Sequence, residues 1–294
     1  MTDFIKKVCS FFLAIVTAVS SFFGLIFPQV TVMKDLSYGS SDAQKIDLYL
    51  PKTKAAGCTA IVVYIHGGAW TGGDKGDYEN NCKKTAENGY AAVSVNYRML
   101  GEGATWVDMM NDITSALNLV KTTAAEKGIT LQKAGFTGAS AGGHLAMLYA
   151  FKNQAVSPFE TVFCASQCGP SNFTDITLYK NSADPAGNFA LISALINKKV
   201  DETTFSDVTA DLQAASPVTY ITKDSPPTIV AQGEKDPIVK YTQGTDVYDA
   251  FTKAGAHCDL ILFPNSDHGL SSDPDCTNRY NQLFKEYEVK YFGY

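Results

Sequence analysis

Gly135-Phe136-Thr137-Gly138-Ala139-Ser140-Ala141-Gly142-Gly143-His144-Leu145-Ala146 is the stretch on which the fold turns. It reads as the end of a strand, a sharp bend and the start of a helix. Ser140 stands at the bend, between Gly138 and Gly142, in the pattern G-x-S-x-G. A strand that bends straight into a helix brings backbones close together at the flanking positions, where a side chain would clash and glycine does not. Ser140 is then expected to project from the top of a sheet at the positive end of a helix. Taken alone, the pattern also suits a glycine-rich turn with a solvated serine, so the surrounding elements decide.

Upstream, Val30 to Leu36 and Lys45 to Leu50 read as short strands around a Gly-Ser-Ser turn, with Pro51 as a stop. Cys58 to Ile65 is an almost unbroken apolar run, the mark of a strand buried on both faces. It empties into His66-Gly67-Gly68-Ala69-Trp70. Tyr78 to Asn88 predicts a helix stopped by Gly89, and Ala91 to Asn96 the next buried strand. Helical spacing of Trp106, Met109, Met110, Ile113, Ala116, Leu117 and Val120 predicts a helix over Thr105 to Glu126. Lys133 to Thr137 leads to Ser140 as a strand, and Ala141 to Phe151 follows as a helix. Further strands are expected at Thr161 to Gln167, Thr228 to Gln232 and Asp259 to Phe263, with helices at Thr242 to Ala254 and Cys276 to Tyr291.

This alternation predicts an α/β fold: a mostly parallel sheet of about eight strands, covered by helices on both faces. In such sheets chemistry collects at the carboxyl ends of the strands. The loops of His66, Ser140, Asp236 and His268 all follow predicted strands. Residues 171–216 break the rhythm, with Leu191 to Ile196 as one helix among polar turns. The segment is longer than a crossover needs and is expected to be a lid above the strand ends.

The 294-residue length suits one domain of this kind over residues 31–294, and 45% hydrophobic content supplies a substantial core. A net charge of −6 without a basic run argues against nucleic-acid binding. Residues 1–30 differ from the rest. Lys6 and Lys7 precede the uncharged stretch Val8 to Phe27, twenty residues long and about one bilayer span as a helix. Residues 8–27 are therefore expected to act as an uncleaved membrane anchor, with a cleaved secretory signal, or a helix packed on the domain or lying in a membrane interface, as the other readings. An anchor or a signal places the domain outside the cytoplasm, anchored or secreted. Seven cysteines give no connectivity, and buried free thiols are expected for most. Cys164 and Cys168 lack the second pair or histidine cluster of a metal site, so no metal and no cofactor is expected.

A serine hydroxyl needs a base to take its proton and a carboxylate to orient that base. Of the four histidines, His66 lies on the glycine loop, His144 lies inside the helix after Ser140 and would face back along it, and His257 sits at the wrong end of a strand. His268, in Asn265-Ser266-Asp267-His268-Gly269, follows the last strand and is the candidate base. Asp236 follows the Thr228 strand and is the candidate carboxylate, with Glu234 and Asp267 as rivals. Gly67 and Gly68 offer unshielded amides, and Ala141 a third at the helix start, as candidate donors to an oxyanion. Asp112 reads as a structural ion-pair partner.

The stretches HGGAWTGGDK, SVNYRM, GASAGGHLAML, ASPVTYI, PPTIVAQGEKDPIV and NSDHGL resemble α/β-hydrolase serine esterases. The likeness is to the HGG-containing branch near hormone-sensitive lipases and the acetyl and feruloyl esterases of plant polysaccharides. The resemblance runs from about Lys34 to the C-terminus. It implies Ser140 as nucleophile, Asp236 as acid, His268 as base, Gly67, Gly68 and Ala141 as oxyanion hole, and Trp70 as a wall of the substrate pocket. It implies a carboxylesterase acting through an acyl-enzyme on short acyl esters, acetyl esters of carbohydrates among them. A serine peptidase of the same fold and a non-catalytic binding module are the alternatives. Ala69 departs from the HGGG form, so lipase-like substrate preferences do not transfer. Oligomeric state is not written in the sequence.

Overall fold

A computed structural model describes residues 30–51 and 59–293. The expected anchor or signal at residues 8–27, and with it Cys9, lies outside the described residues, as does Cys58. Among the described residues, no helix is long and apolar enough to cross a membrane.

Eight strands form one sheet: β1 (Val30–Ser37), β2 (Lys45–Pro51), β3 (Ala60–Ile65), β4 (Ala91–Val95), β5 (Lys133–Ala139), β6 (Glu160–Gln167), β7 (Thr228–Gly233) and β8 (Cys258–Phe263). Their order is β1-β2-β4-β3-β5-β6-β7-β8. The β1–β2 and β2–β4 pairs are antiparallel, and every other pair is parallel. This is the mostly parallel α/β sheet that the alternation predicts, with eight strands.

Helices cover both faces. In chain order they are α1 (Glu79–Glu87), α2 (Trp106–Glu126), α3 (Ala141–Lys152), α4 (Thr177–Lys180), α5 (Pro185–Ile196), α6 (Thr209–Ala215), α7 (Thr242–Ala254) and α8 (Pro274–Phe292). Two apolar cores result, one per face. Ile61, Val63 and Ile65 of β3 pack with Met109, Ile113 and Leu117 of α2, Leu145 and Leu148 of α3, and Phe251 of α7. The alternate residues Ala60, Val62 and Tyr64 pack with Cys82 and Ala86 of α1 and Tyr280, Leu283 and Tyr287 of α8. The unbroken apolar run of β3 reflects this burial on both sides, each such side chain contributing roughly 1.5–3 kcal/mol.

Between α1 and α8 the second face also holds polar groups. A cavity of about 170 Å³ is lined there by Tyr64, Thr85, Thr137, Tyr280 and Glu288. Burial pushes the Glu288 carboxyl up to about 7, against the pull of Lys285, Lys84 and a Thr85 hydrogen bond.

Most element boundaries fall within one or two residues of the sequence reading, and the start of one helix differs by more. The helix expected at Leu191 to Ile196 begins at Pro185, because Asp184 caps it by accepting from the Gly187 amide at 3.0 Å, with proline in the first turn. Residues 171–216 hold α4, α5, a 3₁₀ turn at Phe205–Val208 and α6, not one helix among turns. The last helix begins at Pro274, where proline again suits the first turn. Among the described residues, Cys82, Cys164, Cys168, Cys258 and Cys276 are free thiols.

Candidate active site

Ser140 sits where β5 hands over to α3, with φ 55° and ψ −125°. That conformation costs a non-glycine residue on the order of 1–3 kcal/mol and persists only where its surroundings enforce it. Three contacts do so. The Ser140 amide donates to Gln167 O at 2.8 Å. A Cβ on Gly138 would sit 2.5 Å from Ile65 O, and one on Gly142 would run into Ile65 O and lie 2.6 Å from His66 O. The elbow is pressed against the end of β3, which only glycine at both flanks permits.

The glycine loop follows directly from β3. A Cβ on Gly67 would lie 2.7 Å from Ala139 O and 3.4 Å from Ser140 Cβ, so the loop runs against the elbow. Gly68 has φ 100°, and Ala69 and Trp70 take left-handed φ values of 52° and 58°. His66 is buried, donates from Nδ1 to Gly67 O at 2.9 Å, and stacks on Tyr97 with ring centroids 4.4 Å apart. It supports the loop and does not face solvent. Trp70 is buried and also lines the cavity that Ser140 lines, so it is both a core aromatic and a cavity wall.

Asp236 and His268 come together from the loops after β7 and β8. His268 Nδ1 lies 2.7 Å from Asp236 Oδ2, with the carboxylate fully buried and the imidazole 23% exposed. The carboxylate accepts from the amides of Ile238 (2.8 Å) and Val239 (2.9 Å) through Oδ1 and from Gln232 Nε2 (3.3 Å) through Oδ2. A carboxylate so bonded keeps a fixed face towards the imidazole, which holds the Nδ1–H tautomer and leaves Nε2 free to accept a proton. The rivals sit elsewhere: Glu234 is exposed, and Asp267 is exposed and accepts from the Gly269 amide at 2.9 Å. His257 is exposed at the far end of β8, 3.0 Å from Asp259.

The loops are tied to one another. Glu234 N donates to Phe263 O at 3.0 Å and Lys235 N to Ser266 O at 3.1 Å. Asp273, at the start of α8, accepts from the Asn265 amide (2.9 Å) and from Ser266 Oγ (2.6 Å), fixing the turn that carries His268. Burial works against its ionisation, but these hydrogen bonds outweigh it and hold its pKa below the usual range.

Cys168, at the end of β6 with φ 49°, adds a thiol to the pair. Donor atoms of Cys168, Asp236 and His268 lie within 4.8 Å of one another. Burial, followed by the Asp236 charge and hydrogen bond, pushes the thiol up to about 12, so it stays protonated beside the carboxylate. Cys168 had no signal in the sequence beyond its place after a strand. Asp112 is buried in a bidentate pair with Arg98 (2.7 Å to Nη2) and bonded by Gln44, a structural partner as expected.

Ser140, Ala141, Ala69 and Trp70 line one cavity of about 110 Å³ together with Pro237, Ile238 and Val239, which follow Asp236. Of the glycine loop, Ala69 lines this cavity, while Gly67 and Gly68, expected as oxyanion donors, are not among its lining residues. The rest of the wall is Pro170 with Phe173, Leu178, Tyr179, Leu191 and Ile192 from residues 171–216, and Asn172, Ser182, Asn188, Lys240 and Gln243 are its polar members. No pattern in the sequence marked these residues, because they converge only once the segment folds over the strand ends.

The BD-FAE family model matches residues 46–251. Two proteins of Mycobacterium tuberculosis are similar: the probable carboxylic ester hydrolase LipM, 30% identical over 73% of this chain and 50% of its own, and the esterase LipQ, 28% identical over 80% and 56%. The chain thus spans about half the length of these curated relatives. Among solved structures, a truncated carbohydrate esterase from gut microbiota aligns with a TM-score of 0.72 at 22% identity, over 88% of this chain and 97% of its own. Esterase B from Lactobacillus rhamnosis aligns at 0.71 and 20% identity, over 97% and 96%. These structural likenesses concern the fold.

Proposed function

Given that the chain belongs to the BD-FAE family of α/β-hydrolase esterases, we propose that it is a serine carboxylesterase working through an acyl-enzyme on short-chain acyl esters. The observation that carries this reading is the 2.7 Å His268–Asp236 bond beside a cavity that contains a left-handed Ser140. In this reading His268 Nε2 takes the Ser140 proton as Oγ attacks the ester carbonyl, and Asp236 stabilises the imidazolium. The amides of Ala141 and of the Gly67–Ala69 loop receive the oxyanion. His268 then protonates the departing alcohol, and water attacks the acyl-enzyme by the same route in reverse.

The cavity supports a small acyl group. Its volume of about 110 Å³ corresponds to several water positions, and its wall near Ser140 is largely apolar. Of the polar members of the wall, Asn172, Ser182 and Gln243 are bonded within the protein, and Asn188 is read as the group that meets a hydroxylated alcohol, in keeping with acetyl esters of carbohydrates as substrates. Residues 171–216 are read as the lid over this cavity. Residues 8–27 are read as an anchor or secretory signal that places the domain outside the cytoplasm.

The test is a panel of p-nitrophenyl esters of graded acyl length. Turnover is expected to peak at acetyl to butyryl and to fall with longer chains. Ser140→Ala is expected to lose turnover by on the order of 10⁶-fold. Equal turnover by the variant and the parent would remove the proposal.

A further inference from the structure

His144 lies outside the proposed proton relay, yet it is fully buried and both its ring nitrogens are engaged. Trp70 Nε1 donates to His144 Nδ1 at 3.2 Å. An indole N–H can only donate, so Nδ1 must accept and the ring proton sits on Nε2. Nε2 in turn lies 2.8 Å from Ala215 O, to which it donates. The two bonds fix one neutral tautomer, and burial agrees, pulling the imidazole pKa down to about 4 against the Ala215 bond.

The ring joins three parts of the site. His144 is one helical turn after Ser140, and its amide donates to Ser140 O at 3.0 Å, so the ring moves with the nucleophile. Trp70 ends the glycine loop, next to Ala69, and both residues hold left-handed φ values. Ala215 closes α6, and Phe173 packs on both rings, 5.1 Å from His144 and 6.1 Å from Trp70. The Phe173 amide is held by Ser216 Oγ at 2.9 Å. The strained turn at Ala69–Trp70 therefore needs external restraints. The polar ones are the His144 bond to the indole and the Leu100 amide, which donates to Trp70 O at 2.9 Å.

We propose that His144 is a positioning residue: through the Trp70 indole it sets the orientation of the loop amides that face Ser140, and through Ala215 it registers that loop against the 171–216 segment. It touches no reacting atom. The inference rests on the esterase reading above, because only an oxyanion gives the loop amides their role. An amide displaced by about 1 Å can cost roughly 100-fold in rate without any change in substrate affinity.

The test is steady-state kinetics on p-nitrophenyl acetate with thermal melting, on the full chain, for the parent, Trp70→Phe, His144→Leu, the double variant and His144→Asn. His144→Leu is expected to lower kcat by roughly 10–100-fold with KM little changed. A trifluoromethyl ketone, which forms an oxyanion on Ser140, is expected to lose affinity in parallel with kcat. Trp70→Phe keeps a ring and loses the N–H, and should fall to a similar level. The double variant should be no worse than His144→Leu. His144→Asn places an amide oxygen near the Nδ1 position and should recover a large part of the loss. Losses that multiply in the double variant, or an Asn variant no better than the Leu variant at equal melting temperature, would overturn the proposal. If His144→Leu fails to fold, Trp70→Phe decides: parental kcat there overturns it. A parent inert towards every ester would overturn the esterase reading and this inference with it. An active parent whose variants keep its kcat overturns this inference alone.

Discussion

The Asp236 carboxylate is held by bonds the reaction does not consume. Its two oxygens are divided between the loop amides and the imidazole. Asp236→Asn can keep the amide bonds through its oxygen, but it then turns an NH₂ towards His268 Nδ1. The imidazole must flip its tautomer and bring a proton to the face that should accept one. A fall in kcat on the order of 10⁴ is expected, with the melting temperature moved far less. A pre-steady-state burst of p-nitrophenol, lost in the variant, would place the defect in acylation. Cys168 contributes differently. Its protonated thiol lies within 4.8 Å of the buried Asp236 carboxylate, so Cys168→Ala removes a buried polar neighbour of Asp236. A loss of about 1–3 kcal/mol of stability is expected, read by denaturant unfolding.

At the scale of elements, the strands were the most legible part of the chain. β3 announces itself as an unbroken apolar run, β4 as an apolar run broken only by Ser94, and the elbow by its paired glycines. The loops of Asp236 and His268 could be chosen because each follows a strand, and the sheet brings them to one edge. What could not be read are links between distant residues. His144 meets Trp70 and Ala215, more than seventy positions away in either direction. The start of α5 was hidden for a different reason. Asn181-Ser182-Ala183-Asp184-Pro185-Ala186-Gly187 has the composition of a turn, and only the Asp184 bond to the Gly187 amide makes it a helix start. Asp184→Ala removes that cap at a cost of about 1 kcal/mol. The loss should loosen α5, which supplies Asn188, Leu191 and Ile192 to the cavity wall. KM for short esters is expected to rise severalfold with kcat nearly unchanged, and limited proteolysis should cut first within residues 171–216.

For the molecule as a whole, two buried ionisable groups pull the pH dependence of stability in opposite directions. His144 has a folded pKa of about 4, below its unfolded value, so between about 6.5 and 4 the unfolded chain binds the extra proton. Stability is lost as pH falls through that window. Glu288 has a folded pKa of about 7, above its unfolded value, so between about 4.5 and 7 the native state binds the extra proton. Stability is lost as pH rises through that window. Each group accounts for roughly 3 kcal/mol at its unfavourable end. Glu288→Gln should therefore raise the melting temperature at pH 8 and change it little at pH 4.5, leaving the His144 limb alone. Equal shifts at both pH values would show that Glu288 is not the group responsible. The division of labour within the chain has a longer consequence. Residues 171–216 contribute no strand, yet they furnish Phe173, Leu178, Tyr179, Leu191 and Ile192 of the apolar cavity wall. Mutations there can accumulate without disturbing the register that carries Ser140, Asp236 and His268. Descendants of one ancestor are thus free to diverge in diet while inheriting the same chemistry.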